Sequence, residues 1–370
     1  MTAEQIREHS LEPSEEGNQP IRVLNFRILE YFENERLRFD ELLEIAKGDG
    51  IEHYSTDPLE IVFKFRDTKV ENAAYARPNN TILLHETFLS YLWCVCFSSI
   101  VNFNESIHKP RLGRASDQGL IKHEKYIYDY SKSLLVSYSR WDKTKPNPEY
   151  YSRESAWMIN VTTDAYLDAV WFIVLHEYAH ILYGHTGRSF LGEDTTAGRF
   201  RYDEIQADQF AAKMCDIDLD NTEDGKKEER LTGFVLGLLA LMMSGNHLDY
   251  PSYPHIHVRV VAVLNTISWS ELNLAWGVCA SIFQRWANEY GFRNLKVRTE
   301  YKNDKEYCMH LGSVLQSTIS EEAQAASDVA QAECEEIYKQ SKENPTVSKM
   351  KLAKIEKMLA LTKDSYSEEE

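Results

Sequence analysis

The sequence predicts a predominantly helical α+β protein with a small sheet, one long helix carrying the candidate chemistry, and a helical C-terminal appendage. Three observations predict it. Apolar residues recur at intervals of three and four through most of the longer segments, the spacing that lines one face of an α-helix. Two short runs, Ile61–Phe65 and Thr81–Leu84, read as strands. A proline-free apolar stretch from Trp171 to His185 follows the good capping residues Thr162, Thr163 and Asp164 and closes at Gly184 and Gly187, as a buried helix would.

Taken in order, residues 1–20 are polar and acidic and form a flexible lead-in. Residues 21–150 form a mixed region packed on the core. It opens with Leu24, Ile28, Leu29, Phe32, Leu37, Leu42 and Leu43 at helical spacing, in one or two helices ending near Gly48-Asp49-Gly50. The two strands come next, separated by a turn at Arg77-Pro78-Asn79-Asn80, and the second leads into an apolar helix from Glu86 to about Val101. Between Asn102 and Tyr151 the fold stays open. Residues 151–293 form the core that carries the site. Trp157–Val161 reads as a strand, Gly187–Tyr202 as a loop, Asp203–Met214 as a helix, and Asp216–Arg230, rich in acids, as an exposed loop. Leu231–Met243, His255–Ile267 and the tryptophan-rich Ser270–Tyr290 read as further helices, and residues 294–370 as a polar helical appendage with an acidic tip.

Composition excludes several classes of function. With 58 acidic against 41 basic residues the net charge is -17, and no basic stripe stands against it, so nucleic acid is not expected as a partner. The apolar runs Leu89–Val101 and Phe234–Met243 are shorter than the roughly 18 residues of a membrane span, and no apolar signal core precedes Gln19. The six cysteines are scattered without a C-x-x-C pair, which fits buried, reduced thiols and a cytoplasmic location.

The chemistry lies in His176-Glu177-Tyr178-Ala179-His180. Histidines four residues apart on one helix share a face and can hold one zinc ion, with the intervening glutamate beside it as general base. A catalytic zinc takes a third protein ligand. A metzincin pattern requires glycine at 183 and histidine at 186, where this chain has Tyr183 and Thr186. His185 is one place off and rotated from the 176/180 face, so it is expected to be a packed or capping histidine. Glu204, 24 residues after His180 (204 minus 180), opens the next helix, and Asp208 follows on the same face. In Glu204-Ile-Gln-Ala-Asp208 the glutamate suits the metal and the aspartate suits the remaining N–H of a zinc histidine.

This pairing of motifs resembles the gluzincin metallopeptidases, in particular the Lit-type phage-exclusion peptidases, with a more distant likeness to the HtpX and ImmA groups, over roughly residues 157–265. The resemblance implies a zincin-like core and a zinc-dependent endopeptidase acting on a narrow protein substrate, a host translation factor, in bacterial defence against phage. Ser252-Tyr253-Pro254-His255-Ile256-His257-Val258-Arg259 is similar to a His-Pro-x-x-x-x-Arg segment of such families, with Tyr253 where the pattern has histidine. Tyr253, His255 and His257 are candidate donors to the oxyanion, and Arg259 is expected in a buried ion pair. An extended substrate is expected to add to a strand edge near Trp157–Val161. The competing class is a regulatory or toxin-antitoxin-like binding protein with a structural or vestigial zinc site. The intact Glu177 favours the enzyme, because a structural zinc needs no general base.

Overall fold

The central strand, β3 (Thr81–His85), is buried along its whole length and runs without a loop into the most buried helix, α2 (Glu86–Phe103). The structure is a computed structural model that describes residues 20–34, 59–64, 67–70, 74–77, 79–141, 145–148, 153, 156–187, 197–220, 224–244, 259, 263, 274–289 and 300–314. The chain divides into two compact units, Met1–Gly312 and Ser313–Glu370. It is predominantly helical, with one small sheet, as the sequence predicts.

β1 (Glu60–Lys64) pairs parallel to β3, with Ile61 opposite Ile82. β2 (Ala74–Arg77) pairs antiparallel on the other side, with Ala76 opposite Ile82, so the order is β1-β3-β2 and β2 is an edge. The turn into β3 places Asn80 at φ 55, a left-handed conformation that asparagine tolerates better than most residues. β2 has no sequence signal, since Ala74-Tyr75-Ala76 is poor in β-branched residues and only pairing with β3 makes it a strand.

α1 (Pro20–Asn34) buries Leu24, Ile28 and Phe32 on successive turns. Arg22 pairs with the buried Glu86 at the start of α2, and Phe32 packs its ring 5.3 Å from Trp171. Beyond α2 the chain widens into a π-type turn at Asn104–His108, where the buried Glu105 accepts from Lys109 Nζ and the Asp117 backbone N–H, both at 2.7 Å. α3 (Gln118–Val136) resolves the stretch left open by the sequence, capped by Asp117, which accepts from Gly119 N and Leu120 N.

α4 (Ala156–Leu182) corrects two expectations: Trp157–Val161 is helix rather than strand, and Thr162 and Thr163 are buried within it rather than capping it. The β-branched residues there suggest a strand, but Met158, Ile159, Thr162, Ala165, Tyr166 and Ala169 bury a helical face and decide the outcome. The proposed strand edge at 157–161 is therefore absent. α5 (Ala197–Asp220) begins before Asp203 and runs into the expected acidic loop at 216–230, and α6 (Asp224–Met243) takes up its second half. Its charges are good helix formers, and Glu228 and Glu229 lie exposed along α6. α6 approaches α4 closely. A Cβ on Gly233 would stand 2.6 Å from the Ala165 carbonyl oxygen, and one on Gly237 2.7 Å from that of Ala169.

α7 (Leu274–Glu289) lies within the expected Ser270–Tyr290 helix and buries Trp276, Phe283 and Trp286. Among the described residues five cysteines are buried, and Cys279 Sγ lies 3.3 Å from Cys308 Sγ. Among the described residues two helical runs, Glu86–Arg111 and Ala156–Leu182, do reach bilayer length by length and composition, contrary to the expected shortfall. Their apolar windows are 94% and 78% buried inside the fold, as core helices are. The expected helices at 35–46 and 255–267, apart from the helical Arg259 and Val263, and the appendage beyond 314 lie outside the described residues.

Candidate metal centre

α4 presents His176 and His180 on successive turns, and α5 packs beside it with Glu204 and Asp208 one turn apart. His176 Nε2 and His180 Nε2 stand 3.1 Å apart. Glu204 completes the triangle, with Oε2 3.5 Å from His176 Nε2 and Oε1 3.4 Å from His180 Nε2. The three ligand atoms lie within 4.8 Å of one another, a group that could hold a metal ion.

The donor set fits zinc. Atoms bound tetrahedrally at about 2.0–2.1 Å stand about 3.3 Å apart, near the 3.1 Å between the two Nε2 atoms and the 3.4 and 3.5 Å from each to its nearer Glu204 oxygen. Two imidazole lone pairs and a carboxylate facing one point repel one another unless a cation or a proton lies between them. Without metal, a proton takes that place. Burial disfavours a charged His176, but its contacts with Asp208 and Glu204 outweigh burial and raise it to about 10. Burial and the neighbouring His176 push His180 down to about 3. Glu204 is held well below the usual carboxylate range, because His176 and Arg259 outweigh its burial.

Behind the ligands the outer contacts are also present. His176 Nδ1 lies 3.0 Å from Asp208 Oδ1. Arg259 binds the Asp208 carboxylate through both Nε and a terminal nitrogen, at 2.6 and 2.9 Å, and its other terminal nitrogen is 3.1 Å from Glu204 Oε2. The expected buried ion pair of Arg259 is thus present and ties Glu204 to Asp208. His185, set aside on helix phase, is not among the three ligands but stands against His180, Nδ1 to Nδ1, at 2.9 Å.

Glu177 accepts a hydrogen bond from the Ala76 backbone N–H at 2.8 Å, a partner on β2 that no sequence pattern announces. Burial pushes its carboxyl up to about 7, against the pull of His176 and that N–H. Such a value suits a general base near neutral pH. A cavity of about 160 Å³ opens here, lined by His176, Glu177 and Glu204 together with Phe172, Ile173, Leu238 and Leu241. Tyr253, His255 and His257 lie outside the described residues.

A family model, peptidase U49, matches residues 82–279, more than half of the 370-residue chain. The chain belongs to the peptidase U49 family. It is accordingly a peptidase, a hydrolase whose substrates are proteins or peptides. The matched segment runs from β3 into α7 and contains His176, Glu177, His180, Glu204, Asp208 and Arg259, while β2 and its Ala76 precede it. No curated protein and no solved structure matches the chain.

Proposed function

We propose that this U49 peptidase is a zinc-dependent endopeptidase of the gluzincin type, acting on a specific intracellular protein. The convergence of His176, His180 and Glu204 with Glu177 and an adjoining cavity carries this reading. His176, His180 and Glu204 hold the metal, and Asp208 orients His176 through Nδ1. A zinc ion held there would supply Lewis-acid polarisation of the scissile carbonyl and would acidify a water molecule. Glu177 takes a proton from the attacking water and returns it to the leaving amine. Arg259 holds Glu204 and Asp208 ionised and in place. Tyr253, His255 and His257 stay proposed as oxyanion donors.

An extended substrate has a natural seat on β2, the sheet edge whose Ala76 N–H already points at Glu177. The resemblance to Lit-type peptidases suggests a translation factor as target, a role in phage defence, and a cytoplasmic site of action. The position of Glu177 beside both the ligand group and the cavity favours hydrolysis over a purely structural zinc.

The test has two arms. Metal analysis of the purified chain is expected to find about one zinc, as a mononuclear site requires. In cells, new peptide ends are expected with the wild type and not with Glu177→Gln. Cleavage that persists after complete metal removal would refute the zinc reading, and a wild type that creates no new ends would refute the endopeptidase.

A further inference from the structure

The two metal histidines are backed differently. His176 presents Nδ1 to a carboxylate oxygen of Asp208 at 3.0 Å, so Nδ1 keeps its proton and Nε2 is the nitrogen that metal binding strips bare. His180 presents Nδ1 to another imidazole, His185 Nδ1, at 2.9 Å. Of two ring nitrogens at that distance one donates and the other accepts.

The far side of His185 decides which. His185 Nε2 lies 3.1 Å from Gln206 Oε1 and 3.4 Å from Asp203 Oδ1. Both of these oxygens accept, so Nε2 of His185 carries a proton, and in the neutral ring its Nδ1 is bare. His180 must then donate from Nδ1, which leaves its Nε2 bare beside His176 Nε2 and Glu204. The opposite direction would put a proton on His180 Nε2, in the middle of the ligand group, and turn a lone pair of His185 toward the Asp203 carboxylate. The placement of His185 is built: Gly184 at φ 67 ends α4, the chain tightens into a short turn at His185–Gly187, and the Tyr183 ring stacks on the imidazole at 5.6 Å and 17°.

We infer that His185, backed by Asp203 and Gln206, is a positioning residue that fixes the tautomer and ring orientation of His180 for metal binding, the imidazole counterpart of Asp208 behind His176. This rests on the metal-binding reading of His176, His180 and Glu204. It predicts that His185 acts on the metal through His180 without touching metal or substrate.

The experiment is a zinc titration of the full chain against a competing chromophoric chelator. His185→Phe keeps a ring to stack on Tyr183 and removes the acceptor, so zinc affinity should fall about 10–100-fold. His185→Gln returns an acceptor oxygen and should recover most of the loss. Nitrogen NMR of the zinc-loaded wild type should find His185 protonated at Nε2 and bare at Nδ1, a readout independent of how any variant folds. His185 protonated at Nδ1, or equal zinc affinity for the wild type and a folded His185→Phe, would overturn the inference and leave the metal reading standing. A wild type that binds no zinc would overturn both.

Discussion

Ala76 and Glu177, 101 residues apart, are joined by one hydrogen bond, from the backbone N–H of the first to the carboxylate of the second, at 2.8 Å. The bond couples the sheet edge to the helix that carries the metal ligands. Because the donor belongs to an edge strand and points away from β3, proline at this position need not break the ladder. Ala76→Pro is expected to keep fold and zinc content while lowering kcat about 10–100-fold, the worth of one hydrogen bond to a charged group. Loss of the donor also raises the Glu177 pKa, so the acid limb of the activity profile moves to higher pH. Ala76→Gly, which keeps the N–H, should behave as the wild type in the same assays.

Asp208→Asn keeps an oxygen facing His176 Nδ1 but removes the charge that Arg259 and His176 share. Zinc affinity measured by chelator competition should drop roughly 10–100-fold, with secondary structure unchanged.

Arg259→Leu leaves Glu204 and Asp208 buried without the guanidinium that joins them. Breaking a buried pair from one side costs roughly 3–5 kcal/mol, which urea unfolding of the metal-free protein should report. Bound zinc replaces part of the missing positive charge, so the deficit should narrow when the metal is saturating. A deficit independent of zinc would argue against this electrostatic role.

Zinc and a proton compete for His176. With its folded-state pKa raised to about 10 from 6.5, the protonated ring stabilises the metal-free fold fully below about pH 6.5, and that contribution is lost as pH rises through about 10. For the metal the sign is reversed: at neutral pH binding must expel this proton. Apparent zinc affinity should therefore climb with pH, by up to about tenfold per unit, as a titration series from pH 6 to 9 would reveal. A flat profile would contradict the assignment.

Gly237→Ala places a methyl carbon 2.7 Å from the Ala169 carbonyl oxygen, a backbone atom that cannot rotate away. A loss of about 1–3 kcal/mol in denaturant unfolding is expected from overpacking.

What the sequence reveals divides by the range of the interaction. His176 and His180 are legible because helix geometry alone aligns positions four apart, and Glu204 with Asp208 repeats that logic one element later. α2 and β3 are legible because burial makes them rich in apolar residues. β2 is not, since Ala74-Tyr75-Ala76 becomes a strand only by pairing with β3. Trp157–Val161 has strand-like residues that a long buried helix absorbs. His185 escapes a helix-phase argument because the helix has already ended: the turn at Gly184 swings it back against His180. Ala76 escapes any side-chain motif because it contributes only its backbone.

The close contact of α4 and α6 has a consequence for the cavity beside Glu177. Leu238, next to Gly237, and Leu241, a turn further on, line it from α6, and Phe172 and Ile173 line it from α4. The separation of these two lining helices follows from how deeply α6 settles onto α4 at Gly233 and Gly237. Two absent methyl groups therefore calibrate the width of the chamber, and with it the bulk of any group that comes up against the glutamate.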